Sequence, residues 1–513
     1  MSTAIKRRGK RALVIGAGLG GLAAAMRLSV RGYDVEVVER LDTPGGRASV
    51  IRDSGYVFDC GPTVITAPFL LEELWQLAGL DFHQDVDLRP VTPFYRVYFD
   101  DGQHFDYEGD TDRMREQIAA LHPPDAAGYD AFLEASRRIF DIGFTKLAHA
   151  PFHRASRMLR IVPSMIRLRS HESVYGLVSR YVKHPKTRQV LSFHPLLVGG
   201  NPFSTTSVYS LIAHLERKWG VHFAMGGTGA IVSALVDRLR ERGVRFRFDT
   251  TVRKIAVENR RVTGLELEDG QRLPADVVVS NADAAWTIRH LLAPADRPSW
   301  TDRRVEKSRY SMSLFVWYFG TRRQYPNLPH HSIVLGPRYR GLLRDIFNKK
   351  VLAEDFSLYL HRPTATDPSL APAGSDAFYV LSPVPHLDAG IDWRRAAEPY
   401  RQRIQAHLER TLMPGLSQSI EVSHTLDPQG FRDNLLSYKG AAFSFEPVLR
   451  QSAYFRPHNR FGDVQGLYLV GAGTHPGAGV PGVLSSARVL DEVVPDPSPV
   501  HAAVPNTLAG AVG

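Results

Sequence analysis

The stretch RALVIGAGLGGLAAAMRLSVRGYDVEVVER, residues 11–40, decides the fold. Residues 11–18 are a short β-rich run, and residues 18–32 have the Ala and Leu content of a helix that Gly32 can end. Residues 33–40 then have the pattern of a second strand. This order predicts the βαβ opening of a Rossmann-like domain of the α/β class, with α and β elements mixed over the rest of the chain.

Glycines between the first strand and the helix have the spacing GxGxxG, formed by Gly16, Gly18 and Gly21, with Gly20 beside them. In such a unit the first glycine permits a tight turn, the second lets the backbone reach a pyrophosphate, and the third lets helix and strand pack closely. The phosphates then lie at the positive end of the helix dipole. Glu39 ends the second strand, where a carboxylate can accept hydrogen bonds from ribose hydroxyls. The pattern predicts a dinucleotide site.

The composition limits the classes of protein. The 513 residues are 43% hydrophobic and 23% charged, which is typical of a globular chain with two or more domains or one large composite domain. The formal charge of +10 favours an anionic surface such as nucleic acid or phospholipid, but the basic residues do not cluster with stacking aromatics, so no nucleic-acid partner is expected. The only cysteine, Cys60, excludes an internal disulfide, a CxxC pair and a thiolate zinc site. No apolar run is long enough to predict a spanning helix.

The rest of the chain divides into segments of different pattern. Residues 244–283 alternate apolar and polar side chains between turn signals, which predicts antiparallel hairpins followed by the buried strand DVVVSN. Residues 81–225 indicate mainly helix, and residues 300–455 indicate a mixture. The tail, residues 495–513, is rich in Pro and Ala without a periodic pattern, and we expect it to be disordered.

A second glycine-rich loop lies near the C-terminus, in GLYLVGAGTHPGAGVPGVLSSARVL, residues 466–490. It follows an apolar strand and precedes a helix predicted at about 482–494. A helix that starts there can place backbone N–H groups and its dipole against an electron-rich ligand. The density of glycines indicates a backbone that approaches a ligand closely, far along the chain from the first glycine loop.

Several long blocks resemble the bacterial-type phytoene desaturases, within a flavoprotein group that includes the amine oxidases. They are VGAGTHPGAGVPG (470–482), the stretch 192–232, LAEDFSLYLHRP (352–363), YVLSPVPHLD (379–388) and FEPVLRQSAYFRPHNR (445–460). The resemblance covers about residues 11–494. It implies an FAD-binding domain of the amine-oxidase/glutathione-reductase type, discontinuous in sequence, with an inserted substrate domain. The implied FAD-binding segments are 1–80, 225–290 and 456–494, and the substrate-binding segments are 81–224 and 291–455.

The resemblance implies FAD as the cofactor and assigns further residues to it. The Gly-Gly-Arg loop approaches the flavin, a strand pair approaches the adenine end, and the C-terminal loop completes the site beneath the flavin. The residues concerned are Arg40, Gly45, Gly46, Arg47, Thr251, Val252, Gly471, Ala472, Gly473, Gly479 and Val480. Ala472 stands where many FAD proteins carry an acid for the ribityl chain, as is usual in the desaturases.

The implied activity is removal of a hydride and a proton from a long C40 polyene such as phytoene, with lycopene as the expected end product. Such a substrate needs a long apolar tunnel, and LFVWYF (314–319) and the block 193–209 are candidate linings. His475 is a candidate base or a structural histidine of the loop, and Arg160 is a further catalytic candidate. The histidine spacing predicts no metal site. Oxygen or quinone remains open as electron acceptor, and the oligomeric state is not predicted.

Three alternatives stay open at this point. They are a desaturase of a later or modified carotenoid, a carotene isomerase, and a carotenoid-binding membrane flavoprotein without turnover. Residues 142–171 contain no acid, while basic and apolar side chains interleave around Pro163. This predicts a basic amphipathic segment that contacts anionic lipid, although a solvated helix face would have a similar pattern. We therefore expect a cytoplasmic protein, peripherally associated with the membrane.

Overall fold

The computed structural model describes residues 10–497. Within this range the β-strands, in chain order, are β1 (Arg11–Ile15), β2 (Asp34–Val38), β3 (Val50–Asp53), β4 (Tyr56–Asp59), β5 (Leu88–Pro90), β6 (Tyr95–Tyr98), β7 (His104–Tyr107), β8 (His222–Ala224), β9 (Arg245–Arg247), β10 (Val252–Glu258), β11 (Arg261–Leu267), β12 (Arg272–Pro274), β13 (Val277–Ser280), β14 (Ser313–Thr321), β15 (His331–Val334), β16 (Leu358–His361), β17 (Asp376–Val384), β18 (Ile420–Leu426) and β19 (Leu467–Leu469).

The α-helices of the same range, again in chain order, are α1 (Leu19–Val30), α2 (Pro68–Gln76), α3 (Thr111–Leu121), α4 (Asp125–Gly143), α5 (Ala155–Arg167), α6 (Val174–Tyr181), α7 (Pro185–Ser192), α8 (Leu211–Trp219), α9 (Thr228–Glu241), α10 (Ala284–Trp286), α11 (Asp302–Lys307), α12 (Tyr339–Arg344), α13 (Trp393–Thr411), α14 (Leu416–Ser419), α15 (Pro428–Leu435), α16 (Val480–Arg488) and α17 (Leu490–Val493).

A parallel five-stranded sheet has the order β19-β13-β1-β2-β9. Its central strands are runs of Val, Ile and Leu because both faces are covered, as is typical of parallel sheets. The predicted βαβ opening is confirmed as β1, α1 and β2. Strands β9 and β13 come from residues 245–280, and the edge strand β19 comes from residues 467–469. The sheet is therefore complete only when the chain returns near its C-terminus. The fold is a mixed α/β arrangement, as the sequence predicted.

Two layers cover this sheet. On one face, α1, α9 and α16 bury a core of small and branched side chains that includes Ala24, Leu235 and Leu484. On the other face, β10, β11 and β12 form an antiparallel sheet that packs through residues such as Ile255. The predicted hairpins are confirmed, and DVVVSN forms β13 beside β1.

A larger mixed sheet has the order β18-β14-β17-β16-β15-β6-β7. Strand β14 alternates between its two faces. Phe315, Trp317 and Phe319 pack towards α13 in one core, while Leu314 and Val316 belong to the core on the opposite side. The second side faces the helices α3 to α8, and the space between this face and the five-stranded sheet contains the candidate site.

The expectation of mainly helix over 81–225 holds for residues 111–219 and is wrong for residues 88–107. Strands β6 and β7 form a hairpin around Asp101 and Gly102, whose φ is +81°. β6 then pairs in parallel with β15, far along the chain. The Asp-Gly turn was a local signal for this hairpin.

The predicted C-terminal helix is confirmed as α16 and α17, with a start at Val480 rather than residue 482. Most of the tail predicted to be disordered lies outside the described residues, from position 498 onwards. Within residues 10–497, no helix is both long enough and apolar enough to cross a bilayer. Contact with a membrane surface stays a prediction.

Candidate functional site

A cavity of about 550 Å³ extends from the glycine loop after β1 to one face of the seven-stranded sheet. Its wall contains most of the residues that sequence reasoning selected: Gly16, Gly18, Gly20, Glu39, Arg40, Gly45, Gly46, Arg47, Thr251, Val252, Gly471, Ala472, His475, Gly479 and Val480. Gly21 and Gly473 lie behind this wall. The fold therefore brings segments from both ends and the middle of the chain to one place.

The first glycine loop is packed too closely for larger residues. Gly16 has a φ of +90°, and a Cβ at Gly21 would lie 2.0 Å from the Gly16 carbonyl oxygen. A Cβ at Gly20 would lie 2.5 Å from Oδ1 of Asn281. The loop thus turns tightly, holds α1 against β1 and leaves its backbone facing the cavity. The tight turn and the close packing are as the spacing predicted, and contact with a pyrophosphate stays a prediction.

Glu39 is buried at the carboxyl end of β2 and is held by the backbone. Its Oε2 accepts a hydrogen bond from the amide of Ala17 at 2.7 Å, and its Oε1 accepts one from the amide of Leu41 at 2.9 Å. The carbonyl of Glu39 accepts from the amide of Thr250, which places Thr251 and Val252 beside it. The carboxylate is consequently fixed next to the glycine loop and the strand pair.

The Gly-Gly-Arg loop packs on the first glycine loop. The amide of Gly45 donates to the Ala17 carbonyl at 2.9 Å, and Gly45 has a φ of +112°. Nε of Arg47 donates to the carbonyl of Ala442 at 2.8 Å, and its Nη2 donates to Oγ of Ser437 at 2.7 Å. Burial lowers the pKa of the Arg47 guanidinium, and the nearby Asp283 opposes that shift. Arg47 therefore ties this loop to residues 437–442.

The C-terminal glycine loop is held from behind by two buried polar residues. Nη2 of Arg456 donates to the carbonyl of Ala472 at 2.8 Å, and burial lowers the pKa of this guanidinium. Nδ2 of Asn459 donates to the carbonyl of His475 at 3.0 Å. Gly479, with a φ of +91°, precedes the first turn of α16, which lines the cavity. A second helix N-terminus is thus directed into the same cavity.

His475 is buried in this loop and lines the cavity. Its Nε2 donates to the carbonyl of Leu147 at 2.8 Å, and its ring contacts Phe152 edge to face at 4.7 Å between centroids. Burial lowers the pKa of His475 to about 4, with the backbone hydrogen bond to Leu147 opposing the shift. Nδ1 is buried and has no partner among the described residues. The imidazole is therefore neutral at neutral pH, with a free lone pair on Nδ1.

The structure does not bring Arg160 to the site. Arg160 is exposed on α5 and does not line the cavity, whereas Ile161, Met165 and Leu168 from the same segment do. Pro163 lies inside this helix, as the sequence indicated. The arginine is on the outer face because the helix presents its apolar residues to the cavity.

Sequence reasoning missed several residues of the wall. Asn281 lies between the two glycine loops, since a Cβ at Gly20 or at Gly471 would meet its Oδ1. Asp283 caps α10 through Oδ1, while its Oδ2 is buried without a partner. Both residues directly follow the buried strand β13. Polar residues at the carboxyl end of a parallel strand are a known sign of a ligand site, and this was the available signal.

The end of the cavity away from the glycine loops is apolar. Residues of the block 193–209 line it as predicted, including Phe193, Leu196 and Val208. Only Leu314 and Val316 of LFVWYF do so, because Phe315, Trp317 and Phe319 face α13. Tyr318 lies on the same side as Leu314 and Val316, and its hydroxyl donates to the carbonyl of Cys60. Cys60 also lines the wall, and burial raises the pKa of its thiol to about 11, so it stays protonated.

The wall fits FAD by three independent features. Two helix N-termini with close glycine backbones can receive a pyrophosphate and the electron-rich edge of a ring. The buried carboxylate of Glu39 lies where ribose hydroxyls can donate to it. Gly20 and Gly21 have no room for a Cβ against Asn281 and the Gly16 carbonyl, so the glycine loop stays close to β1 and its backbone lies bare at the cavity. The residues present thus provide donors and acceptors for each part of the cofactor.

The histidine spacing predicted no metal site, but the fold brings three histidines close together. His330, His331 and His361 meet at one end of the paired strands β15 and β16, inside the seven-stranded sheet, with one nitrogen from each within 4.8 Å of the others. All three side chains are buried. The spacing in the sequence could not show this cluster, because it depends on the pairing of β15 with β16 in the folded chain.

Comparisons with known proteins agree with these features. The family model described as flavin containing amine oxidoreductase matches residues 19–489. A phytoene desaturase (neurosporene-forming) of Cereibacter sphaeroides is 48% identical over 491 residues, covering 95% of each chain. A phytoene desaturase (lycopene-forming) of Pantoea ananas is 48% identical, covering 93% of this chain and 97% of its own. An oxidoreductase structure from Methanosarcina mazei superposes with a TM-score of 0.62 at 19% identity, over 94% of this chain and all of that one, which shows a shared fold.

Proposed function

Because the chain belongs to the flavin-containing amine oxidoreductases and, within them, to the bacterial phytoene desaturases, we propose that it removes hydrogen in successive steps from phytoene, towards lycopene. It is an FAD-dependent oxidoreductase that acts on CH–CH groups. The observation that carries the proposal is the cavity itself, because one wall joins a dinucleotide cradle to a long apolar chamber.

The chain's own residues hold the cofactor. The amides at the start of α1 would bind the pyrophosphate, Glu39 would accept from the ribose, and Thr251 and Val252 would hold the adenine end. The N-terminus of α16 and the loop at Gly45 and Gly46 would hold the flavin. FAD, when bound, supplies the hydride acceptor that the reaction needs.

The apolar chamber selects a hydrocarbon chain and keeps it in register. Leu196, Ile333 and Leu381 are among its lining residues, and few polar groups interrupt them. Glu216 is a buried acidic residue of the lining, but its oxygens already accept from Tyr95 at 2.7 Å and from His194 at 3.0 Å. Since these groups satisfy each other, the chamber offers no open polar partner at this point and favours a substrate without polar groups.

His475 is the side chain best placed to receive the proton that leaves with the hydride. Its Nδ1 has a free lone pair, and its Nε2–H fixes the tautomer by donating to Leu147. The low pKa of the ring makes it a weak base that releases the proton again readily. A solely structural role in the loop is the alternative, and the two roles differ in their response to substitution by Gln.

The substrate enters from a membrane through the face that contains α5. Helix α5 has no buried residue, lines the chamber with one side and exposes Leu159 and Ile166 on the other. Among the described residues, Arg154, Arg160 and Arg167 have no ion pair, so they are free to contact anionic headgroups. The exposed Phe455 lies on a turn that contacts α5. Such a face fits peripheral attachment at the cytoplasmic surface.

The test is reconstitution of the FAD-loaded protein with phytoene in anionic liposomes, with oxygen or a quinone as the added acceptor. Products with stepwise red-shifted absorption would support desaturation, and the last product to accumulate would give the number of steps. The neurosporene-forming and lycopene-forming relatives have the same identity to this chain, so this count has to be measured. Unchanged phytoene with FAD retained would favour a later carotenoid substrate, an isomerase or a non-catalytic binding protein.

A further inference from the structure

Three histidines form a buried cluster, His330, His331 and His361, beside the apolar chamber. His331 begins β15 and His361 ends β16, and the register of the two strands pairs them directly. Two positions further along, the same register pairs Ile333 with Tyr359. Both of these residues line the chamber. Side chains two positions apart on a strand lie on the same face. The cluster therefore continues the chamber wall at its far end.

The nitrogens of the cluster are arranged around a common point. Nε2 of His330 and Nε2 of His361 are 3.0 Å apart, and one nitrogen from each ring lies within 4.8 Å of the others. In tetrahedral coordination with metal–nitrogen bonds of about 2.0–2.1 Å, two ligand nitrogens are separated by about 3.4 Å. The observed spacing brackets this value, so small side-chain rotations suffice for all three to reach one ion.

Two of the three rings have a hydroxyl partner on the outer nitrogen, whereas Nδ1 of His361 is buried without a partner among the described residues. Nδ1 of His330 lies 2.7 Å from Oγ1 of Thr366, and Nδ1 of His331 lies 2.7 Å from the hydroxyl of Tyr359. Such hydroxyl partners orient the ring and direct Nε2 towards the centre of the cluster. Nε2 of His330 and Nε2 of His361 share a hydrogen bond, whose proton would leave when an ion binds between them. Nε2 of His331 is buried without a partner in the described part of the chain.

The local charges permit a cation. Imidazole binds a metal ion in its neutral form. Arg362 is adjacent, but the carboxylate of Asp376 pairs with it at 2.9 Å and compensates its charge.

We propose that His330, His331 and His361 bind a divalent transition-metal ion of the kind that prefers imidazole, with Zn²⁺ as the representative. The set comprises three neutral nitrogens and no thiolate or carboxylate, which suits Zn²⁺ and its neighbours and excludes Ca²⁺ and Mg²⁺. With three protein ligands, one coordination position remains for water or hydroxide. The ion fastens β15 to β16 at the end of the chamber.

The experiment uses the untagged, FAD-loaded full chain, since a histidine tag would bind metal itself. The protein is stripped with a chelator, incubated with Zn²⁺ or Co²⁺, desalted and analysed for metal and flavin. We expect about one Zn²⁺ per chain and, with Co²⁺, the intense visible absorption of a four-coordinate site. No retained metal above the desalting background, with flavin content intact, would overturn the proposal.

Variants assign the metal to this cluster. His361→Gln and His330→Gln should lose the metal, and Thr366→Val should weaken binding about 10–100-fold by removing a partner of the outer nitrogen. His407→Ala, at a half-buried histidine on α13, is the matched control and should retain the metal. Equal retention by the His361 and His330 variants would place the ion elsewhere and refute the assignment. Should these variants fail to fold, the Co²⁺ spectrum of the unaltered chain still decides whether a four-coordinate site exists.

Discussion

Nε2 of His475 donates a hydrogen bond to the carbonyl oxygen of Leu147, at 2.8 Å. This contact joins the C-terminal glycine loop, at the cofactor end of the cavity, to the segment that leads into α5. The loop proposed to enclose the flavin and the face proposed to meet the membrane are thereby connected through one imidazole. The contact also leaves Nδ1 of the same ring without a partner and facing a buried environment.

The first prediction concerns pH and His475. The pKa of His475 in the folded chain is about 4, against about 6.5 for an unperturbed histidine. Between these two pH values the unfolded chain therefore binds a proton that the folded chain does not. Stability therefore falls as the pH decreases from about 6.5 to about 4, by up to about 1.4 kcal/mol per pH unit for this proton. His475→Gln should make the free energy of unfolding less dependent on pH in this range, as measured by denaturant unfolding at several pH values.

His475→Gln also separates the two roles of the side chain. The Gln amide can still donate to Leu147 but offers no comparable base. With a structural role alone, turnover should stay near that of the unaltered protein; with a proton-accepting role, it should fall about 10²–10⁴-fold. An unchanged slope of stability against pH would contradict the neutral, buried imidazole.

The second prediction concerns the glycine loop. Gly21→Ala places a Cβ 2.0 Å from the Gly16 carbonyl oxygen, an overlap with backbone that rotation of a side chain cannot relieve. We expect a loss of about 1–3 kcal/mol in stability and a marked loss of bound flavin. Flavin absorbance per polypeptide and a thermal melt measure both. Gly462→Ala is the control, because a Cβ there meets nothing within 4 Å. Full flavin content in Gly21→Ala would refute the proposed cradle.

The parts of the site that sequence reasoning found are those with local signals. The glycine spacing, Glu39 at the end of β2 and the Gly-Gly-Arg loop each follow from a short pattern with a known geometry. Glycine conformations in these loops depend on neighbours in sequence, so the pattern alone predicts the turn. The same is true of DVVVSN, whose apolar run indicated a buried strand.

The missed parts depend on contacts between distant segments. Half of LFVWYF faces α13 rather than the chamber, and no pattern within β14 tells which face meets which partner. Arg456 holds Ala472 from behind, although its sequence context indicates only a basic residue. The cluster of His331 and His361 exists because β15 and β16 pair in one particular register. Such relationships require the tertiary structure.

The third prediction concerns Glu216, which is fully buried in the chamber wall. Its carboxylate accepts from the hydroxyl of Tyr95 and from Nε2 of His194. Glu216→Ala leaves both donors buried and unpaired, at about 1–3 kcal/mol each, whereas Tyr95→Phe removes one donor together with its need for a partner and should cost less. Denaturant unfolding measures both, and Glu241→Ala on the exposed side of α9 should change stability by no more than about 0.5 kcal/mol. A cost for Glu216→Ala as small as for Glu241→Ala would contradict this network.

The last prediction concerns the proposed membrane face on α5. Leu159 is 71% exposed and Ile166 is 65% exposed, and burial of such a side chain in lipid contributes about 1.5–3 kcal/mol. The double variant Leu159→Ser/Ile166→Ser should therefore bind anionic liposomes at least about tenfold more weakly in a flotation assay. Val351→Ser is the control, since Val351 is also an exposed apolar residue but lies away from α5.

The charges of the same face give an independent readout. Each arginine near an anionic surface contributes about 1 kcal/mol, so replacing Arg154, Arg160 and Arg167 by Gln should weaken binding about 100-fold in all. Added salt should weaken binding of the unaltered protein and have little effect on this variant, because its charge attraction is already lost. Equal flotation of the unaltered protein and of both sets of variants would show that α5 is a solvated helix face, and the route of substrate entry would then have to lie elsewhere on the chamber wall.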